Sequence, residues 1–227
     1  MAPRSRRERY DFHSHTFLTD GQASATDMWF AADRRAHRVL AITDHIALED
    51  PKPLLDRLHQ EARAFEEGPM QPFVGVEVSM VPARRIADVA RGARRAGAEI
   101  VIVHGETTVE PVPKGTNHAA IDCPEVDLLA HPGLLDPADA ELAASHGTVL
   151  ELTGRRGHSI ANGHVARTAL RAGATLVVDS DAHATEQLLA IEAARTVARG
   201  AGLSEAEVRR ALREAPRRLV RRLGGDR

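Results

Sequence analysis

Two histidines stand two apart in the stretch DFHSHTFLTDG, residues 11–21, and an aspartate follows them just before a glycine. On a strand, residues i and i+2 project from the same face, so His13 and His15 would aim their imidazoles together, which is the geometry of a shared metal ion. A pair of surface histidines on a fraying strand end is the alternative, and the pair alone does not decide between them. Further along come Asp44 and His45 in ITDH, Glu77 in GVEVS, His104 in VHGET, His131 in AHPG, Glu151 in LEL, and Asp181 and His183 in DSDAH. Imidazole and carboxylate without thiolate suit zinc, manganese or iron. So many imidazoles with several carboxylates exceed what one tetrahedral ion requires, which implies more than one divalent ion. Paired ions about 3.5–4 Å apart generate hydroxide at neutral pH and clamp the attacking and leaving oxygens of a displacement at phosphorus. Gly-x-Ser-x-Gly and a P-loop are both missing, so metal-activated water is the economical nucleophile.

The elements that must position these residues are short. Apolar, β-branched runs predict strands at RYDFH, VLAIT, FVGVEV, EIVIVH, VDLLAH, TVLEL and TLVVDS, with helical patterns between them. The chemistry-bearing residues fall at the C-terminal ends of these strands, the face where (β/α) barrels carry their active sites. Six of the 12 histidines lie there, where a random scatter would put on the order of one. Strict alternation of apolar strands with helices predicts a parallel sheet covered by helices. Without a Gly-x-Gly-x-x-Gly fingerprint, a closed or nearly closed barrel is favoured over a dinucleotide-binding sheet. The remaining histidines, His37, His59, His118, His146, His158 and His164, are expected in helices or loops, with His118 and His158 on loops leaving the catalytic face. Lys114, Arg155 and Arg156 leave that face too and could hold a phosphate, Arg by its fork and Lys as a point charge. Solvent-facing loop cations are the competing reading for all three. Asn117 and Asn162 could cap the helices that follow.

Bulk properties limit the alternatives. The chain has 227 residues, 43% hydrophobic and 27% charged, with a net charge of −2. That describes an ordinary globular protein rather than a general polyanion binder. Its one cysteine, Cys123, excludes an internal disulfide and a cysteine-based zinc cage. No apolar run approaches the roughly 20 residues of a membrane span, and MAPRSRRERY is not followed by the apolar segment of a signal peptide, so a cytoplasmic location is expected. The arginine-rich EVRRALREAPRRLVRRL carries Val208, Leu212, Leu219 and Leu223 at helical spacing and reads as an amphipathic helix. Flanking glutamates interrupt its charge, which disfavours nucleic acid there. No linker or repeat divides the chain, and a single domain over 1–227 is expected.

The motifs HSH, TDG, ITDH, GVE, VHGE, AHPG and SDAH, in this order from Tyr10 to Ala184, resemble the polymerase and histidinol phosphatase (PHP) family; helices over 185–223 complete the chain. The resemblance implies a distorted (β/α)7 TIM-like barrel with a site for three divalent ions that hydrolyses phosphate esters. Carried over by position, His13, His15, Glu77 and Asp181 look like the ligands of one ion, with Glu77 bridging. Asp20, His45 and His183 would hold a second ion, and Glu77, His104 and His131 a third. The Asp20 position is histidine in some members. Asp11, Asp44 and Glu151 have no place in that set and read as carboxylates orienting imidazoles, with buried structural carboxylates as the rival. The expected reaction is attack on a small phosphate monoester by a metal-bridging hydroxide held by Glu77, Asp181 and His183. Phosphodiester or exonuclease cleavage, amidohydrolase chemistry and a non-catalytic metal or ligand-binding module are the alternatives. Members acting on histidinol phosphate resemble a longer chain, so that substrate is not transferred, and the oligomeric state is not legible.

Overall fold

The inward and outward faces of the strands account for the architecture. In the computed structural model, which describes residues 8–225, seven strands pair in sequence order, every neighbour parallel. They are β1 (Arg9–Asp11), β2 (His37–Ile46), β3 (Gln71–Val78), β4 (Ile100–His104), β5 (Leu128–Ala130), β6 (Val149–Thr153) and β7 (Leu176–Asp179). The helices between them are α1 (Ala25–Arg34), α2 (Lys52–Ala62), α3 (Ile86–Ala96), α4 (Thr116–Ile121), α5 (Pro137–His146) and α6 (Asn162–Ala172). After β7 come α7 (Ile191–Gly200), α8 (Glu205–Arg209), a π-helical turn over Arg210–Glu214 and α9 (Ala215–Arg222). Their boundaries follow local chemistry. Ser24 and Asp136 accept backbone N–H bonds as N-caps, and Gly97, Gly147 and Gly173 end α3, α5 and α6 in the left-handed conformation. The result is a single nearly closed (β/α)7 barrel, as the strand–helix alternation predicts; the ends of the span 1–227, residues 1–7 and 226–227, lie outside the described residues. Among the described residues no helix is long and apolar enough to cross a membrane.

Alternation at period 2 sorts the strand residues into two cores. Leu40, Ile42, Val74, Val76, Val101 and Val103 pack outward under the helices. Val39, Ala41, Phe73, Ile100, Ile102 and Leu128 pack together inside the barrel. The inner core is closed from below by α9, whose Leu219 and Val220 join it. Val208 and Leu212 are buried in the outer core, Leu219 is buried in the inner one and Leu223 packs against that inner core, so the amphipathic reading of the C-terminal segment holds. Continuing up the inward face, Glu77 lies above Phe73 and His104 above Ile102. Gly75 lies between Phe73 and Glu77 because a Cβ there would stand 2.3 Å from the Ile100 carbonyl oxygen.

Closure between β1 and β7 uses side chains instead of a ladder. Asp179 Oδ1 accepts the Phe12 N–H at 2.8 Å, and Asp11 Oδ1 accepts the Ser180 N–H at 2.9 Å. Only beyond them do backbones meet, through a parallel bridge between Ser14 and Ala182 in which the His15 N–H reaches the Ala182 carbonyl at 2.8 Å. Two expectations are corrected by this seam. His13 and His15 lie beyond the end of β1, because the Phe12 N–H that would continue a ladder is taken by a carboxylate. Asp11 touches no imidazole of the strand-end set: it pairs with the buried Arg9 at 2.7 Å, accepts from the Ser180 hydroxyl and lies 3.8 Å from His37. The structural-carboxylate reading is the one the geometry favours. His37, expected in a helix or loop, is instead the buried first residue of β2.

Arg9 spans this seam, donating to the Val178 carbonyl at 2.7 Å and the Leu189 carbonyl at 3.1 Å. Arg9→Ala would leave the buried Asp11 charge uncompensated, and such losses cost about 3–5 kcal/mol. Urea denaturation should show a destabilisation of that size; a change under about 1 kcal/mol would mean that the pair does not hold the seam.

Candidate metal centre

The upper end of the barrel gathers side chains from all seven strands. His13 Nε2 and His15 Nε2 are 3.0 Å apart. His13 Nε2 lies 3.3 Å from Glu77 Oε2 and 3.8 Å from Asp181 Oδ1, while His15 Nε2 lies 3.5 and 3.4 Å from the same two atoms. His131 Nε2 is 3.6 Å from both Glu77 Oε1 and Asp181 Oδ2. His45 and His183 flank Asp20, with Nε2 atoms 3.5 and 3.0 Å from its carboxylate. Among the described residues, four overlapping groups have ligand atoms mutually close enough to share an ion: His15–Asp20–His45–His183, His13–His131–Asp181, His13–His15–Glu77 and Glu77–His104–His131. All nine candidate ligands therefore converge, and His15 stands close to two of the expected ion positions.

Glu77 is fully buried and neither of its oxygens accepts a hydrogen bond. Leaving an ionised carboxylate so placed costs several kcal/mol unless a cation compensates it. This donor set, nitrogen and oxygen without sulfur, fits divalent zinc, manganese or iron. Without an ion, protons take that place. Burial opposes charge on His13, yet the surrounding Glu77, Glu151 and Asp181 carboxylates raise it well above the ordinary imidazole value. His45, similarly desolvated but close to Glu77 and Asp20, is pushed up to about 10. Glu77 is desolvated too, and the His13 and His45 charges hold it well below the usual carboxylate range. Burial, joined by neighbouring imidazoles, keeps His15 and His131 low and their lone pairs free.

Supporting contacts fix the ligands. Glu151 reaches His13 Nδ1 at 2.8 Å and accepts the His131 N–H at 2.8 Å, tying two ligands from different strands. Ser79 Oγ lies 2.7 Å from His45 Nδ1. Asp44 does not orient an imidazole: it accepts from Thr16 N at 2.7 Å, Thr16 Oγ1 at 2.6 Å and Thr19 Oγ1 at 2.8 Å, which pins the turn that presents Asp20. Asn117 and Asn162 form no N-caps; they brace loops, Asn117 through Glu106 N and the Pro132 carbonyl, Asn162 through both backbone groups of Thr153.

Above the ligands opens a cavity of about 400 Å³. Arg155 lines it, with Nη1 3.3 Å from the Asp181 carbonyl and Nε 3.7 Å from Asp181 Oδ2. Arg156 and Lys114 are exposed and outside that lining. The reason is local: Arg155 is drawn inward by its N–H bond to Thr153 Oγ1, and the left-handed Gly157 and Gly115 turn the chain outward beside Arg156 and Lys114. His158 reaches the cavity, whereas His118 lies exposed on α4, paired with Asp139 at 2.8 Å. Sequence reasoning missed Glu110, whose oxygens lie 3.0 Å from His104 Nε2 and 3.3 Å from His158 Nε2. It missed Ile46, Ala47, Glu49 and Met80 of the lining as well. Ile46 ends β2 and the others lie in loops, which carry no periodicity, so only their closeness to a strand end could have signalled them.

Fold and site define a (β/α) barrel whose strand ends assemble histidines and carboxylates around a solvent-reaching cavity. The chain belongs to the PHP domain family, whose model matches residues 10–192. It is 38% identical over 218 residues to an uncharacterized protein of Methanocaldococcus jannaschii, covering 95% of this chain and all of that one. Among solved structures it is similar to a chain of an archaeal ribonuclease P with mature tRNA, at 14% identity and a TM-score of 0.69, covering 93% of this chain and 90% of that one. It is also similar to the histidinol phosphate phosphatase of Lactococcus lactis in complex with zinc, L-histidinol and phosphate: 15% identity, TM-score 0.62, 87% of this chain and 95% of that one. At these identities the two structures share the fold.

Because His13 and His45 hold protons at neutral pH without an ion, an incoming cation displaces them. Zinc or manganese affinity should therefore rise with pH through neutrality, towards about 10 for His45. Calorimetric titration in buffers of differing ionisation enthalpy should detect net proton release at pH 7; binding without proton release would contradict this electrostatic account.

Proposed function

We propose that the protein is a metal-dependent phosphoesterase acting on a small phosphate monoester, with up to three divalent ions, zinc, manganese or iron, held by the nine converging residues. The observation that carries this reading is the unsatisfied, fully buried Glu77 among imidazoles, with one guanidinium, Arg155, entering the cavity directly above. Bound ions would supply Lewis acidity toward phosphate oxygens and lower the pKa of an attacking water.

The chain's own groups do the rest. Arg155 offers a planar fork to a phosphate oxygen pair, a recognition mode that Lys cannot copy. Glu77, Asp181 and His183 border the position from which water would attack. Glu151 and Ser79 hold His13 and His45 in fixed orientations, so little reorganisation accompanies charge development. The zinc, L-histidinol and phosphate bound by the Lactococcus lactis neighbour support phosphorus chemistry in this fold without naming the substrate here. Nucleic acid is the weaker reading: the arginine-rich α9 plugs the opposite end of the barrel and adds no basic groove to this mouth.

Asp181→Ala should abolish hydrolysis of 4-nitrophenyl phosphate and reduce metal content measured by plasma mass spectrometry; unchanged turnover would sink the mechanism. Arg155→Ala should keep its metal and raise KM for the same ester about 10- to 100-fold, the value of a charge-assisted hydrogen bond. A panel of monoesters, nucleotides and oligonucleotides decides between mono- and diesterase action.

A further inference from the structure

Among the described residues, four other than glycine have positive φ: Ala36 (58°), Met80 (54°), His131 (25°) and Asp181 (50°). Two of them are candidate ligands. Such conformations cost on the order of 1–3 kcal/mol each and persist where surrounding structure over-determines them. Met80 is no ligand and is no core residue either, since it is 49% exposed. It is fixed by its neighbour: Ser79 N donates to the Ile46 carbonyl at 2.9 Å and Ser79 Oγ meets His45 Nδ1, after which the left-handed turn sends Met80 over the cavity.

The cavity has two unlike walls. Ile46, Ala47 and Met80, from the ends of β2 and β3, make an apolar one. Two polar groups beside it are engaged with protein, Ser79 Oγ with His45 and the Ala47 N–H with Glu49 Oε1 at 2.9 Å, and the exposed Glu49 carboxylate stands at its rim. Arg155, Glu110 and His158, from loops after β4 and β6, make the polar one. In a ring of seven strands in sequence order, β3 and β6 stand on opposite sides of the mouth. Met80 therefore stands across the mouth from Arg155, where the ester group of a phosphate held at Arg155 would have room.

We propose that Met80 sets the specificity of the site, and that the leaving group is an uncharged, apolar, planar alcohol such as an aryl alcohol rather than a polyol. This rests on the phosphoesterase reading above and names its substrate class. Methionine's unbranched, polarisable thioether suits the face or edge of a ring. A polyol would press hydroxyls against the Ile46, Ala47 and Met80 side chains, which offer no hydrogen-bond partners. A cavity of about 400 Å³ accommodates a phosphate and a ring together.

The test uses metal-loaded protein and two readouts. Calorimetry should find phenylphosphonate binding about tenfold tighter than methylphosphonate, the scale of one buried apolar contact. Met80→Ser should bring the two affinities together at unchanged metal content, and Met80→Leu should restore the preference. In turnover, the ratio of kcat/KM for phenyl phosphate to that for glycerol 2-phosphate should fall about tenfold in Met80→Ser, with KM carrying the change. Equal phosphonate affinities in the unmodified protein, or an undiminished preference in Met80→Ser, overturn the proposal alone. Failure to bind any phosphonate or hydrolyse any ester overturns the phosphoesterase reading and this proposal together.

Discussion

A carboxylate that is fully buried and accepts no hydrogen bond is the constraint around which this barrel is organised. Glu77 stands on β3 inside the ring, between ladders to β2 and β4, too rigidly placed to turn toward water. Its charge must be met from neighbouring strands, and imidazoles from β2 and β5 and from the segment beyond β1 approach it at 3.0–3.6 Å. Beneath it, past the buried Thr43 and Asp179, the inner core is apolar down to the α9 plug. The inner face therefore changes within a few residues from apolar packing to a dense array of ionisable groups, with Thr43 between Ala41 and His45 on β2.

Rigidity follows from how few atoms do the positioning. One carboxylate, Glu151, fixes both the ring of His13 and the backbone of His131. Asp44 gathers three donors from a single turn and so sets where Asp20 stands. Neither touches the cavity, yet each governs the placement of groups that do. The strained backbones at His131 and Asp181 belong to the same economy, because a relaxed extended path would aim those side chains elsewhere.

Much of this was legible in the chain. Period-2 strands and the types of residue at their C-terminal ends reveal both barrel and cluster, because a strand end fixes direction and height together. What was not legible depends on paths that no period encodes. The end of β1 was misplaced because a side-chain carboxylate, not a backbone group, takes the Phe12 N–H. Asp11 and Asp44 stand close to histidines in sequence, but that closeness says nothing of which donor an aspartate faces. Arg155 and Arg156 are chemically identical neighbours, and one turn sends them to opposite sides. Glu110 and Met80 lie in loops whose course only the folded barrel reveals.

The seam between β1 and β7 has a consequence for biosynthesis. Two of the four ligand groups combine residues from the first forty-five positions with Asp181 or His183. As the chain leaves the ribosome, His13, His15, Asp20 and His45 emerge long before the residues that complete their surroundings. Histidines and carboxylates displayed on an unfinished chain could capture the wrong ion, but the full arrangement exists only after the last strand has docked beside the first. The same junction that closes the barrel thus completes those two groups last, once Asp181 and His183 stand beside the first strand.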